Sequence, residues 1–124
     1  MRIAVTIALI AVVWSGAVDA QQPLVGKWSG TLADQARPDR PGTIEMEIAK
    51  AEGGKLKGTM TLYPYKGRGC SGRYQLEGTY QDNKIEFNST GGGMPECNVK
   101  YQLVAEGNQL TGGTGDTNVR LRKR

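Results

Sequence analysis

The sequence predicts an all-β chain, an eight-stranded antiparallel up-and-down meander that closes into a small barrel with one disulfide. Three observations predict it. Apolar and polar residues alternate with a period of two in eight short runs, and no helical period competes with them. The connections between runs alternate short and long. Glycines recur inside the runs two residues after an inward apolar side chain, in "WSGT", "LKGT", "LEGT" and "LTGG", where Gly30, Gly58, Gly78 and Gly112 supply bends for barrel closure. The same missing side chains would also leave room for a ligand inside.

Residues 1–20, "MRIAVTIALIAVVWSGAVDA", combine Arg2, an apolar run from Ile3 to Val13, and small residues Val18 and Ala20 at the −3 and −1 positions of a cut. This is the pattern of a secretory signal peptide. The apolar run is too short for a membrane span, and no cysteine follows the cut to carry a lipid. Residues 21–124 are then a single secreted or periplasmic domain.

The first strand is "LVGKWSGTL". In the second, "GTIEMEI" at residues 42–48, Ile44, Met46 and Ile48 share one face and Thr43, Glu45 and Glu47 the other. "KLKGTMTLY" follows with Leu56, Gly58, Met60 and Leu62 inward, then "RYQLEGTY" with Tyr74, Leu76, Gly78 and Tyr80 inward. "NKIEFNS", "NVKYQLVAE", "NQLTGGTG" and "TNVRLRKR" complete the set. Short turns, "AEGG", "QDN" and Gly107 with Asn108, join strands 2–3, 4–5 and 6–7. Long loops, "ADQARPDRP", the stretch around "YKGRGCSGRY" and "TGGGMPEC", join strands 1–2, 3–4 and 5–6. In a meander successive turns fall at alternate ends, so the long loops share one end. Cys70 and Cys97 then meet there, and a bridge between them is worth roughly 3 to 4 kcal/mol by loop-closure entropy.

"GKW" at Gly26, Lys27 and Trp28, opening the first strand of such a meander, resembles the G-x-W that opens lipocalin and avidin barrels. The resemblance covers the architecture and these few residues. It implies a barrel and a binding role, with Trp28 closing the short-loop end under a basic residue from a late strand, here Arg120 or Arg122. An avidin-like biotin cage is absent, since Trp28 is the only tryptophan after the signal peptide.

Catalysis finds little support in the residues. Histidine is absent from all 124 positions, which removes the commonest general base and metal ligand together. Ser71 and Ser29 have no evident base, and a disulfide-bonded cysteine is no nucleophile. Glu45, Glu47, Glu77 and Glu86 fall on outward faces, where cross-strand charge pairing accounts for them. Asp34, Asp39, Glu96 and Asp116 gather at the loop end without calcium-loop spacing. The expectation is a protein that is not an enzyme and holds no cofactor or metal. "NST" at Asn88 matches a glycosylation acceptor, meaningful only in a eukaryotic secretory route.

The formal net charge of +4 favours acidic partners or simply solubility; no nucleic-acid signature accompanies it. Lys66, Arg68 and Arg73 flank Cys70, and Arg37 and Arg40 lie on another loop of the same end. Gly67, Gly69 and Gly72 offer backbone N–H groups for an anion nest, or merely make turns. The mouth is the candidate site. Two functions follow: a non-catalytic barrel taking a small or anionic ligand there, or a secreted interaction module or hydrolase inhibitor working through disulfide-pinned loops.

Overall fold

The computed structural model describes residues 24–124, and the expected signal peptide over residues 1–20 lies outside the described residues. Eight strands follow one another as β1 (Gly26–Asp34), β2 (Gly42–Glu52), β3 (Lys55–Tyr63), β4 (Gly72–Gln81), β5 (Lys84–Thr90), β6 (Lys100–Glu106), β7 (Gln109–Gly113) and β8 (Thr117–Lys123). Each pairs antiparallel with the next, and β8 closes on β1 with Leu32 opposite Val119 and Gly30 opposite Leu121. Closure leaves no open sheet edge. Two short 3-10 turns, Tyr65–Gly67 and Pro95–Cys97, sit in the long connections, and no α-helix occurs among the described residues. No helix there is long and apolar enough to cross a membrane.

Period-two alternation decides what the barrel encloses. On β3, Leu56, Met60 and Leu62 are buried while Lys55, Lys57 and Tyr63 are exposed. The core continues through Ile44, Met46 and Ile48 of β2, Leu76 of β4, Phe87 of β5 and Leu103 of β6. In β2 the register shifts between Ile48 and Lys50, and this irregularity puts Ala51 inside and both Ala49 and Lys50 outside. The strand therefore runs past Ile48 to Glu52, farther than its strict alternation.

The recurring glycines are corners and leave no internal space. A Cβ on Gly30 would overlap the Arg120 carbonyl oxygen, on Gly58 that of Glu47, on Gly78 that of Glu86, and on Gly112 that of Gln102. Strands at these points cross so closely that only hydrogen fits. The outer wall carries the expected charge pattern: Lys57 Nζ lies 3.5 Å from Glu77 Oε2, and Lys100 Nζ lies 3.9 Å from Glu86 Oε2. Glu47 and Glu45 face Thr59 and Thr61 across the β2–β3 pair.

The two ends differ as the loop lengths require. The tight turns at Gly53–Gly54, Asp82–Asn83 and Gly107–Asn108 gather at one end, where Trp28 is buried together with Ile85. Trp28 Nε1 donates to the Leu24 carbonyl at 3.1 Å, satisfying its only polar atom. The cation over its ring is neither Arg120 nor Arg122. Val119 and Leu121 point inward on β8, so Arg120 and Arg122 point to solvent, and Lys123 is next on the inward side. Lys123 pairs with Trp28 across the β1–β8 seam and places its Nζ 5.6 Å from the ring centroid.

Candidate functional site

The opposite end holds the long loops, and each is ordered by its own hydrogen bonds. In the β1–β2 loop the Ala36 amide donates to Asp34 Oδ1 at 2.9 Å, the Arg37 amide to the Asp34 carbonyl at 2.9 Å, and the Arg40 amide to the Arg37 carbonyl at 3.1 Å. The Gln35 amide reaches the Asp116 carbonyl at 2.9 Å and fastens this loop to the β7–β8 turn. In the β3–β4 loop, Gly67 and Arg68 amides donate to Pro64 and Tyr65 carbonyls at 3.0 and 3.1 Å. Lys66 takes a left-handed φ of 50° in this turn, with its Nζ 5.5 Å from the Tyr65 ring centroid. The Gly67 N–H is engaged in the turn, so it is not free to line an anion nest.

The disulfide Cys70–Cys97 joins that loop to the β5–β6 loop, with Cα atoms 5.7 Å apart. Its second anchor is Ser89, the one buried polar side chain in the described core. Ser89 Oγ donates to the Cys97 carbonyl at 2.9 Å and accepts from the Val99 amide at 3.1 Å. A hydroxyl buried on β5 thus fixes the chain leading into β6.

These loops surround a pocket of about 630 Å³. Its apolar wall comes from Leu32, Leu62, Val99 and Tyr101. Arg37, Arg40, Lys66 and Arg68 supply the cations. Arg73 does not join them: Tyr74 faces inward on β4, so Arg73 projects from the outer wall opposite Thr61. No ion pair among the described residues involves the four pocket cations.

Three carboxylates also line the pocket, Asp34, Glu96 and Asp116, which makes the mouth less one-sided than its arginines and lysine suggest. No cluster of three or more His, Cys, Asp or Glu side chains able to hold a metal occurs among the described residues. Asp116 accepts from the hydroxyls of Thr114 and Thr117 at 3.0 and 3.2 Å.

In the sequence, the alternation of "NVKYQLVAE" places Tyr101 inward with Val99 and Leu103, as a core residue and nothing more. The structure puts it on the pocket wall, stacked on Phe87 with ring centroids 5.0 Å apart and planes 14° from parallel. Burial, with a smaller contribution from nearby Tyr74, lifts the Tyr101 hydroxyl from its ordinary 10.0 to about 12. Tyr74 is raised too, first by burial and then by the Glu96 charge, while its hydroxyl donates to the Ser71 carbonyl at 3.0 Å.

A pH dependence follows from Tyr101. Below about pH 10 both the folded and unfolded chains keep the proton, and the full stability is present. From pH 10 to about 12 the unfolded chain ionises while the folded barrel holds the proton, so stability falls. The loss attributable to this residue is about 3 kcal/mol. Urea denaturation of wild type and Tyr101→Phe across this range should show a steeper decline in the wild type; parallel declines would contradict the assignment.

Compared with known proteins, the chain matches no family model, no curated protein and no solved structure.

Proposed function

We propose that this chain is a secreted or periplasmic, non-catalytic binding protein that takes a small ligand bearing an anionic group at the long-loop mouth. The observation carrying this reading is the pocket itself. At about 630 Å³ it falls within the 300–1,000 Å³ range of small-molecule sites, with an apolar wall and four cations that have no ion-pair partners. An apolar body against Leu32, Leu62 and Val99 would supply hydrophobic affinity, and an anionic end among Arg37, Arg40, Lys66 and Arg68 would fix its orientation. Loops already tied by turns and a disulfide lose little freedom on binding. The barrel beneath is packed with side chains, so the ligand occupies the mouth and not a deep calyx.

Charge reversal tests the reading. With anilinonaphthalene sulfonate, an aromatic monoanion, as the fluorescent probe, Lys66→Glu with Arg68→Glu should weaken binding about tenfold or more at low salt. Lys55→Glu with Lys57→Glu, reversed on the outer wall of β3, should change it by less than about twofold. Equal losses would mean that only net charge mattered and would overturn the site.

A second reading has its own observation. Tyr63, Tyr65 and Met94 are 52%, 39% and 44% exposed at this same end, an apolar display suited to a protein partner such as a hydrolase. Native mass spectrometry of protein purified from its own host separates the two. A retained small molecule supports the ligand site, and a stoichiometric protein partner supports the interaction module.

A further inference from the structure

The charged side chains that line the pocket are sorted by loop, Asp39 of the β1–β2 loop lying outside that lining. All four cations come from the β1–β2 and β3–β4 loops, Arg37 and Arg40 on one and Lys66 and Arg68 on the other. The carboxylates come from elsewhere on the rim: Glu96 on the β5–β6 loop, Asp116 on the β7–β8 turn, and Asp34 at the end of β1 where it pairs with Thr117 of β8. In the closed strand order β1 to β8 this gives the rim a cationic arc and an acidic arc. No ion pair joins the arcs.

A second, independent feature lies on the pocket wall, on β6 beneath the acidic arc. Tyr101 is only 4% exposed, yet its hydroxyl has no hydrogen-bond partner in the protein. Nor is the oxygen sealed in the core, since Tyr80 Oη is the side-chain atom buried in that way among the described residues. The Tyr101 oxygen is therefore reached from the pocket that its side chain lines. Stacking on Phe87 holds the ring, so its donor is presented in a fixed place.

Resting on the reading of the mouth as a ligand site, we propose that its ligand is a zwitterion: an anion and a cation separated by an apolar segment that carries a hydrogen-bond acceptor for Tyr101. The anion lies toward Arg37, Arg40, Lys66 and Arg68, and the cation toward Glu96 and Asp116. A short apolar peptide with free termini has this chemistry, with an ammonium, a carboxylate, backbone carbonyls between them and an extended length of about 10 Å for three residues. A dianion of the same size would set one charge against the acidic arc, and sulfated or phosphorylated polymers would be refused for the same reason.

The test uses four forms of one tripeptide, Leu-Gly-Leu, titrated calorimetrically into the protein at low salt: free, N-acetylated, C-amidated and N-succinylated. The free peptide should bind tightest, exceeding the N-acetylated monoanion by about two- to fivefold, the range for exposed charge pairs. The succinylated dianion should bind more weakly than the monoanion. Glu96→Gln with Asp116→Asn should close the gap between free and acetylated peptides. Tyr101→Phe should weaken the free peptide about three- to tenfold, the worth of one hydrogen bond, without lowering the melting temperature at neutral pH. Acetylated peptide binding as well as the free form, or succinylated peptide binding best, would overturn the zwitterion. An unchanged affinity in Tyr101→Phe would remove the acceptor from the proposal. If none of the four peptides binds while anilinonaphthalene sulfonate still does through Lys66 and Arg68, the inference fails and the mouth survives; if neither binds, the mouth itself is lost as a ligand site.

Discussion

Replacing Cys70 and Cys97 together by alanine is expected to lower the stability of the barrel by roughly 3 to 4 kcal/mol, or about 15–25 °C in melting temperature. The bridge spans a sequence separation of 27 and closes the loop in the unfolded chain as well as the folded one. Its loss frees the unfolded ensemble, and in the folded barrel it releases the β3–β4 loop from the β5–β6 loop. Cys97 is buried beside the Ser89 clamp, so its truncation also removes packing. Chemical denaturation of the double variant, compared with the wild type under non-reducing conditions that keep its Cys70–Cys97 bridge intact, checks the value. A difference below about 1 kcal/mol would show that the loops hold without the bridge. The same variant should lose affinity for the anionic probe, because Cys70 lines the pocket and sits two residues from Arg68.

Gly78→Ala should cost at least about 3 kcal/mol. A Cβ at this position meets the Glu86 carbonyl oxygen and both Cα and Cβ of Phe87 on the neighbouring strand. Those are backbone atoms and the root of a buried side chain, so the β4–β5 ladder itself would have to move apart. Phe87 carries the Tyr101 stack, and its displacement would carry through to the mouth. Gly115→Ala is the matched control: its backbone is not left-handed and no atom lies within 4 Å of the added carbon. Thermal denaturation should place the control within about 0.5 kcal/mol of wild type. A Gly78 variant equally close to wild type would mean that the strands do not approach as described.

Alternation made the strands and most of the core legible, because a period of two assigns every second side chain to the interior without knowledge of the partner strand. It also carried the loop sorting that brought Cys70 and Cys97 together. The same rule, applied through β8, selects Lys123 over Arg120 and Arg122, since both arginines share a face opposite to Val119 and Leu121. The resemblance to lipocalin and avidin barrels implies an arginine there, but parity of position decides the matter. Arg73 follows the same logic: proximity in sequence to Cys70 suggested the mouth, whereas its neighbour Tyr74 occupies the inward place.

Loop residues obey no period, and there the sequence was less informative. Arg37, Arg40, Lys66 and Arg68 could be assigned to one end from topology alone, and all four line the pocket. The acids were harder to use. In the sequence, Asp34, Glu96 and Asp116 show only as a loose acidic group without metal-loop spacing, because their division from the cations around the rim exists only once β8 has closed on β1. Tyr101 looked like any other inward aromatic. Its place at the top of the core, beside Leu62 and Val99 on the pocket wall, depends on the register of β6 in the closed barrel.

The most direct measurement of the central claim is an NMR titration of ¹⁵N-labelled protein with anilinonaphthalene sulfonate, following every backbone amide. The largest shifts should fall on residues 34–41, 64–71, 91–99 and 114–117, the loops around the pocket, together with Tyr101 on its wall. The turns at Gly53–Gly54, Asp82–Asn83 and Gly107–Asn108 should stay within the shifts seen on adding sodium sulfate alone. Shifts concentrated at those turns around Trp28, or scattered evenly over the outer wall, would contradict a binding site at the long-loop mouth.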